Sequence, residues 1–364
     1  MGTELEDSYE IKNYWDDFLA TQDLRALSHL PKEGLLLLIK WLAIHYEGHR
    51  ETKIPRTKIS VIVPMWNVEK HIDGCLRSIA ASTYRNFECI CVDDGSPDAS
   101  GKLAEAFAKK DKRFRVVYQK NLKAGGARNT GFKHATGDVI SFVDADDYIH
   151  PQMFEILLNV LSAAGVDVAA CALEKTDRPY APIVPAIMRY PIKIVDNPLE
   201  SLMKNRLPVM PCARLYRRRT IQNIKFIEGI AFEDLPSAVE LMSKIGKYAL
   251  VDKGLYFYHI NPASTMRSVW SNSKTDSYMT AINAIYDYIR RNRPADLPNI
   301  QKHILNIRVK MIFNHIRRSP EPEQEKLWLH AGHRLRELYA QKRISYKGLK
   351  LKHKWRLWRL LHGK

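Results

Sequence analysis

The chain has 364 residues, with 57 Lys and Arg against 40 Asp and Glu, for a formal net charge of +17. That length allows one large domain with additions or two domains, and the charge calls for an anionic partner: nucleic acid, anionic lipid or a phosphorylated substrate. No run of about 18 apolar residues argues for a membrane-spanning helix, and the five cysteines lack CxxC spacing, which favours buried, reduced thiols and a cytosolic setting over a disulfide or zinc framework.

Residues 1 to 55 read as helical. Trp15, Phe18, Leu19, Leu24, Leu27 and Leu30 recur at helical spacings, and after Pro31 a second helix is expected over Glu33–Tyr46. The polar stretch Gly48–Lys58 reads as a linker. Short strands then alternate with helices. Strands are expected at Ile59–Val63, Phe87–Val92, Phe114–Tyr118, Val139–Val143 and Val166–Cys171. Helices are expected at Val68–Ala81, Leu103–Lys109, Ala127–Ala135 and Met153–Leu161. This alternation predicts an α/β fold, a mostly parallel sheet with helices on both faces. Asp177–Ile260 is less regular, with one helix near Leu235–Ser243. From Ser273 the chain reads as helices to its end, with Tyr278, Ile282, Ile285 and Ile289 at helical spacing.

Two of the apolar runs end in acid. Glu88–Val92 leads into Asp93-Asp94-Gly95-Ser96, and Val139–Val143 into Asp144-Ala145-Asp146-Asp147. Carboxylates at the ends of buried strands are poorly placed for stability and well placed for a ligand, because open α/β sheets bind ligands outside those ends. Such a cluster repels itself unless a cation or hydrogen-bond donors share the site. Hard oxygen ligands favour magnesium or manganese, often bridged to substrate phosphates. The pattern points to a metal–diphosphate site. Neither GxxxxGK[ST] nor GxGxxG occurs, so P-loop and dinucleotide readings lose their fingerprints.

The chemical motifs form an ordered series: Val61-Ile62-Val63-Pro64-Met65-Trp66-Asn67, Val92-Asp93-Asp94-Gly95-Ser96, Gly125-Gly126-Ala127-Arg128-Asn129-Thr130-Gly131, Val143-Asp144-Ala145-Asp146-Asp147 and Phe232-Glu233-Asp234. Taken together and in this order, they resemble a family 2 glycosyltransferase with the GT-A, Rossmann-like fold, over roughly Lys58–Met266. The division that follows is a helical N-terminal extension (1–55), a GT-A domain (56–268), a helical C-terminal region (269–340) and a basic amphipathic tail (341–364).

Residue by residue, Asp93 and Asp94 can accept a hydrogen bond from a uracil imide N–H; the plainer reading is a turn-forming Asp-Gly pair. Pro64 and Trp66 can flank the base, or simply pack. Gly125, Gly126 and Arg128 read as preceding a helix start, where glycine permits close approach, the helix N-terminus favours phosphate and Arg adds a forked cation. The resemblance implies that Arg128 and Asn129 face the nucleotide; a structural pairing of Arg128 with an aspartate is the alternative. It also implies that Asp144 contacts the ribose and that Asp146 holds Mn2+ or Mg2+, which neutralises the diphosphate leaving group as a Lewis acid. Asp147 then caps the next element or supports Asp146. At a helix N-terminus Asp234 would be the general base and Glu233 would orient the site, the alternative being an ordinary helix cap. His259, where relatives often carry Arg, can reach the diphosphate or the metal. Pro211-Cys212-Ala213-Arg214 stands where relatives often have Trp-Asn-Lys before Leu215-Tyr216, which bears on acceptor or sugar specificity. A QxxRW motif is missing, so one sugar per encounter is expected.

From Gln341 to Lys364 there is no acidic residue, and nine Lys and Arg alternate with Leu351, Trp355, Leu357, Trp358, Leu360 and Leu361. A basic helix carrying Trp and Leu suits an anionic lipid surface; a solvated helix whose aromatics pack on the domain and a nucleic-acid contact are the other readings. The apolar Leu35–Ile44 stretch offers a second lipid contact. The expected function is transfer of a sugar from a UDP-sugar to a hydroxyl of a growing bacterial surface glycan (capsule, lipopolysaccharide or exopolysaccharide). The acceptor would be lipid-linked and the enzyme cytoplasmic, at the inner face of the cell membrane, with no nucleic-acid partner. The rivals are a nucleotidyltransferase-like enzyme of nucleotide-sugar metabolism, whose Gly-rich, Lys-containing loop is missing, and a non-enzymatic basic protein that binds nucleic acid.

Overall fold

Ile59–Met65 (β1) is apolar and β-branched because it is buried on both faces, with Ile59, Val61, Ile62 and Val63 fully enclosed. Pro64 is tolerated because β4 pairs only with Ile59–Ile62, so the proline falls where β1 is paired on one side. The computed structural model describes residues 57–183, 190–204, 206–260, 269–343 and 350–362, with backbone alone at 299 and 301–309. The N-terminal helices, the Leu35–Ile44 stretch and most of the linker lie outside these residues, as do 261–268 and 344–349 of the sequence readings.

The elements follow as α1 (Ile72–Ala80), β2 (Phe87–Asp93), α2 (Ser100–Lys110), β3 (Phe114–Tyr118), α3 (Lys123–His134), β4 (Val139–Phe142), β5 (Tyr148–Ile149), α4 (Met153–Ala163), β6 (Val168–Thr176), β7 (Ile192–Val195), α5 (Pro198–Met203), β8 (Arg214–Arg217), a helical turn at Arg218–Ile221, α6 (Asp234–Lys244) and β9 (Tyr248–His259). Four longer helices close the chain: α7 (Asn272–Asn292), α8 (Leu297–Ile316), α9 (Glu321–Ala340) and α10 (Leu351–His362). The sheet order is β3-β2-β1-β4-β8-β6-β9-β5, with β7 on β9. Pairings β1/β2, β1/β4, β2/β3 and β6/β9 are parallel; β8 and the short strands β5 and β7 pair antiparallel. The parallel part is the one the sequence lays out. The antiparallel strands fall in or beside the irregular segment, where β9 mixes charged and apolar residues without a clear period. After β1 the chain builds outward through β2 and β3, then returns to the other side of β1 with β4. That reversal creates a crevice outside the C-terminal strand ends.

Helix α1 buries Ile72, Cys75, Leu76 and Ile79, the stripe expected of a 3.6-residue period. It starts four residues later than the apolar spacing suggested, because Val68 closes a turn first: His71 and Ile72 donate their N–H groups to its carbonyl. All five cysteines are buried and free, and burial raises the Cys75, Cys89 and Cys171 thiols, so they pack as neutral side chains. The core continues through α6 into α7 and the last helices, where Tyr278, Ile282, Ile285, Ile289, Ala331, Leu335 and Leu357 join the cluster that contains Ile62 and Phe142.

At the opposite end of the sheet from the crevice, Glu88 ties several segments together. Its Oε1 accepts from Ser60 Oγ (2.6 Å), Thr136 N (2.7 Å) and Thr136 Oγ1 (2.8 Å), and Lys58 Nζ lies 3.2 Å from Oε2. Burial alone would raise its pKa, but the bonds from Ser60, Thr136 and Lys58 outweigh it and hold the carboxyl at about 2, below the usual 4.5. A lowered carboxyl stabilises the fold above its unfolded pKa and loses that contribution as pH falls through the folded one. Glu88→Gln is expected to cost about 1.5–3 kcal/mol at pH 7. That gap should narrow from pH 4.5 towards 2 in urea unfolding. A wild type and variant that differ by the same amount across that window would show that Glu88 is not the group responsible.

Candidate active site

The crevice is walled by the segments that follow β1, β2, β3 and β4. The β1 loop is tied to the start of α2: Asn67 N donates to Ser96 Oγ (3.2 Å), Val68 N to Ser100 Oγ (2.8 Å) and Glu69 N to Asp98 Oδ2 (3.0 Å). Gly95 takes φ +71°, a left-handed turn that lets the chain leave β2 directly after Asp94. Asp93 Oδ1 accepts from Ser96 N at 2.9 Å. Asp94 Oδ1 accepts from Gln119 Nε2 (2.6 Å) and Leu122 N (2.8 Å), while its Oδ2 is buried with no partner among the described residues. The pair therefore does turn work, and Asp94 keeps one acceptor that an imide N–H would satisfy. At the same strand ends Trp66 is 53% exposed. Pro64 is half-buried.

Helix α3 begins at Lys123, so Gly125, Gly126, Arg128 and Asn129 lie within it rather than ahead of it. The early start has a steric basis: a Cβ on Gly125 would stand 2.5 Å from the Ile227 carbonyl oxygen, and one on Gly126 would collide with Leu122. The glycines let the first turns of α3 press against their neighbours. Arg128 is 5% exposed. Its Nη2 donates to Asp144 Oδ1 at 2.9 Å and its Nη1 to Glu233 Oε1 at 2.5 Å, with the guanidinium 5.5 Å from the Phe226 ring centroid. Burial works against its charge, but Asp144 and Glu233 more than compensate and Asp234 adds to them, so its pKa rises. Carboxylates from two distant parts of the chain thus meet one cation, with the charge of Asp234 beside them. The structure places Arg128 as an aspartate's partner, the alternative the sequence left open. Asn129 donates to Phe226 O (2.8 Å) and Glu228 Oε1 (3.0 Å) and accepts from Phe226 N (3.0 Å), stapling that loop to α3.

Behind Asp144, Tyr256 acts as a relay. Asp144 N donates to the Tyr256 hydroxyl (3.0 Å), which donates to Asp147 Oδ2 (2.7 Å), and His259 N donates to Asp147 Oδ1 (2.8 Å). Asp147 is fully buried; burial first, then the charges of Asp144 and Asp146, push its carboxyl up to about 9 despite those bonds. It supports the loop from beneath. Asp144 and Asp146 are half-buried. The His71 and His259 rings lie 4.7 Å apart, and His259 Nδ1 is buried without a partner among the described residues. Burial and then the His259 charge lower the His71 pKa, while Asp146 raises it, which places Asp146 beside this pair.

Asp144, Asp147 and Cys212 have potential donor atoms within 4.8 Å of one another. Burial, then Asp144 and Asp147, raise the Cys212 thiol well above its usual value, and a neutral thiol is no ligand for a hard cation. The donors that fit manganese or magnesium are the Asp144 and Asp146 carboxylates, and the orphan His259 nitrogen belongs to the same loop cluster through the His259 N–H to Asp147. The charges of Asp144 and Asp146 add to burial in raising the Asp147 carboxyl, and that repulsion is what a cation would relieve.

Glu233 and Asp234 open α6. Phe232 before them takes φ +64°, a strained conformation for a bulky residue, and is held by Trp270 and Tyr278 at ring-centroid distances of 5.9 and 5.1 Å. Ser237 Oγ donates to the Glu233 and Asp234 carbonyls. Three contributors were missed from sequence: His71, Gln119 and Tyr256. Tyr256 stands three residues before His259, which the sequence did single out. His71 and Gln119 carried no local signal.

Residues 60–225 match the family model described as Glycosyl transferase family 2. That segment, just under half of the chain, is a glycosyl transferase family 2 domain. Among its relatives is the uncharacterized glycosyltransferase EpsJ of Bacillus subtilis (strain 168), 36% identical over 214 residues, which are 57% of this chain and 62% of EpsJ. Glycosyltransferase GlyA of Streptococcus pneumoniae is 34% identical over 236 residues, 62% of this chain and 33% of GlyA. The chain thus spans less than two thirds of either relative. S. aureus TarS residues 1–349, solved in complex with UDP-GlcNAc, superposes with a TM-score of 0.63 at 19% identity, covering 84% of this chain and 88% of that one. This is a likeness of fold, and the fold is GT-A.

If the Arg128 pairings hold the crevice together, Arg128→Met should lower stability by about 3–5 kcal/mol, since it strands buried carboxylates. Arg128→Lys should recover only part of that, because one ammonium cannot reproduce a fork to two acids. Chemical unfolding of both variants checks this; a methionine variant as stable as wild type would remove the clamp from the account.

Proposed function

We propose that the protein transfers a single sugar from a UDP-sugar to a hydroxyl of a bacterial surface glycan, with inversion at the anomeric carbon. The observation that carries this reading is the convergence of Asp144 and Glu233, with the charge of Asp234 beside them, on Arg128 at the strand ends, beside the unused Asp94 acceptor. Asp94, with Asp93 shaping its turn, receives the uracil imide, and Pro64 and Trp66 flank the base. Asp144, aimed by Arg128, meets the ribose; Gly126 and Asn129 shape the adjoining wall through close packing and the 226–228 staple. Asp146, with Asp144 beside it and His259 within the same loop cluster, would hold Mn2+ or Mg2+, which supplies Lewis-acid neutralisation of the departing diphosphate. Asp234 takes the acceptor proton as the hydroxyl attacks, and Glu233 fixes the helix start through Arg128. A single displacement with one base gives inversion.

The relatives support the setting. One is named a minor teichoic acid biosynthesis protein, GgaB of Bacillus subtilis (strain 168), 27% identical over 284 residues. TarS is solved with UDP and with UDP-GlcNAc. The domain limits near residues 55, 268 and 340 are part of this proposal.

So is membrane association at the inner face of the cell membrane. Among the described residues no helix is long and apolar enough to cross a membrane. Helix α10 instead divides its apolar residues. Leu357, Leu360 and Leu361 pack inward, while Leu351 (84% exposed), Trp355 (53%) and Trp358 (42%) stay outside among Lys352, Lys354 and Arg359. That outer face fits an anionic bilayer, and a lipid-linked acceptor would be met there.

Calorimetric titration of UDP, UMP, GDP and ATP, with and without manganese, should show UDP-selective binding that needs the metal. Equal affinity for all four would remove the donor assignment. Asp146→Ala should lose the metal-dependent part, and Asp234→Asn should keep UDP binding while transfer drops by at least about 100-fold. Normal turnover in the latter would dismiss Asp234 as the base. Replacing Trp355 and Trp358 with Ala should release the protein from phosphatidylglycerol liposomes in sedimentation, and undiminished pelleting would mean that α10 is not the anchor.

A further inference from the structure

The Pro211–Tyr216 stretch, which departs from the family pattern, leads to a second feature away from the carboxylates. A cavity of about 390 Å³ lies over β4 and β8, between α3 and α6, beneath the segment 221–228. Alternation along β8 puts Arg214 and Tyr216 on one face, with Arg218 following on the same side; all three line the cavity. Lys133 and Lys225 add two exposed cations at its wall. The one carboxylate there is Glu228, and Asn129 already donates to it at 3.0 Å. The rest of the lining is largely apolar, including Phe132, Phe142 and Phe226.

Arg214 is the decisive residue. It is 1% exposed, and among the described residues no carboxylate pairs with it. Its Nη1 reaches the Tyr216 hydroxyl at 3.4 Å and its Nη2 the Pro208 carbonyl at 2.5 Å, while its Nε is buried with no partner. Arg218 repeats the pattern: Nε donates to the Gly137 carbonyl at 2.7 Å, and Nη2 is buried and unpartnered. A buried guanidinium without a counter-ion is costly unless a ligand supplies the charge. Arg214 is such a group, and the half-buried Arg218 brings a second orphan nitrogen to the same cavity, which also carries two lysines. The Arg128 pair of acids shows how the chain neutralises a buried arginine when no ligand is involved; at Arg214 it provides nothing comparable.

We propose that this cavity is a binding site for a phosphate group, held by Arg214 and Arg218, with Lys133 and Lys225 at its mouth. Four cations against one engaged carboxylate fit a dianionic phosphate better than a single carboxylate, and guanidinium forks match its oxygens. The phosphate is either free in solution or carried on an organic group that the Phe132, Phe142 and Phe226 wall accepts. The site shares Asn129 and the 226–228 segment as a wall with the crevice, but none of the crevice carboxylates lines it, so its anion-binding groups are separate from those of the donor reading.

The test is calorimetric titration of the full chain with inorganic phosphate and with hexyl phosphate, below its micellar range, with hexanol as the uncharged control. Wild type should bind hexyl phosphate, and hexanol should not bind. Arg214→Met and Arg218→Gln should each weaken binding at least tenfold, and Lys225→Ala, at an exposed position unlikely to disturb folding, by about threefold. Tighter binding of hexyl phosphate than of inorganic phosphate assigns the site to an organic phosphate; equal binding assigns it to the free ion. Asp94→Asn and the Trp355→Ala, Trp358→Ala protein separate this cavity from the crevice and from α10, and both should bind as wild type does. The proposal is overturned if neither phosphate binds, if Arg218→Gln and Lys225→Ala bind with wild-type affinity, or if binding is lost only in the Asp94 or tryptophan variants.

Discussion

One buried guanidinium sets the terms for the edge of the sheet where the site lies. Arg128 could not be enclosed within α3 without acids to meet it, and Asp144 and Glu233 could not sit so close together without a cation between them. Each partner makes the other's burial tolerable. The consequence is geometric: the end of β4 and the start of α6 are fixed relative to each other through a residue on α3. Asp234, which follows Glu233, is placed by the same pairing, and its charge reaches Arg128. The strain at Phe232 belongs to this arrangement, since a left-handed residue before the helix turns Glu233 and Asp234 towards the cation and is held there by Trp270 and Tyr278.

That neutralisation is incomplete. Asp93, Asp94, Asp144, Asp146, Asp147, Glu233 and Asp234 crowd the same strand ends, and Arg128 answers only part of their charge. Part of the remainder shows in Asp147, whose carboxyl is pushed upward by burial first and then by the charges of Asp144 and Asp146, although two donors bind it. A diphosphate approaching such an edge would be repelled by the bare carboxylates, so a cation there serves both protein and ligand. Hydrogen-bond donors such as Tyr256, Gln119 and the Leu122 N–H soften the field without cancelling it.

How much of this was legible in sequence depended on whether a residue's role was local. β1, β2 and β4 were readable because strands buried on both faces leave apolar runs, and the acids that end β2 and β4 stand out against those runs. The start of α3 was misread because Gly125 and Gly126 look like a loop, whereas contacts with Ile227 and Leu122, remote or one turn away, require them inside the helix. β9 was hidden because its twelve residues alternate poorly, being paired to β6 through an irregular register. His71, Gln119 and Tyr256 meet the site only after folding; nothing in the neighbours of His71 and Gln119 announces it, and Tyr256 stood near His259 without a role of its own. The role of Arg128 was open between ligand and acid because an arginine near a glycine pair is equally suited to either; only burial decides it.

The protein's excess of positive charge is therefore not located where the chemistry is proposed. The crevice is acidic, while basic side chains gather on α10 and around the cavity over β8. These two basic regions are physically unlike. On α10 the lysines stand in solvent beside exposed tryptophans, so their field acts over a Debye length and weakens with salt. At the cavity Arg214 is enclosed and its unpartnered nitrogen is shielded, so an anion that reached it would be held by short, directed hydrogen bonds that salt screens little. A broad surface charge of the first kind draws the protein to an anionic surface without choosing a ligand. An enclosed guanidinium of the second kind selects one by geometry. Net charge alone pointed to an anionic partner; the structure sorts that charge into an exposed basic helix and a cavity lined by an enclosed guanidinium.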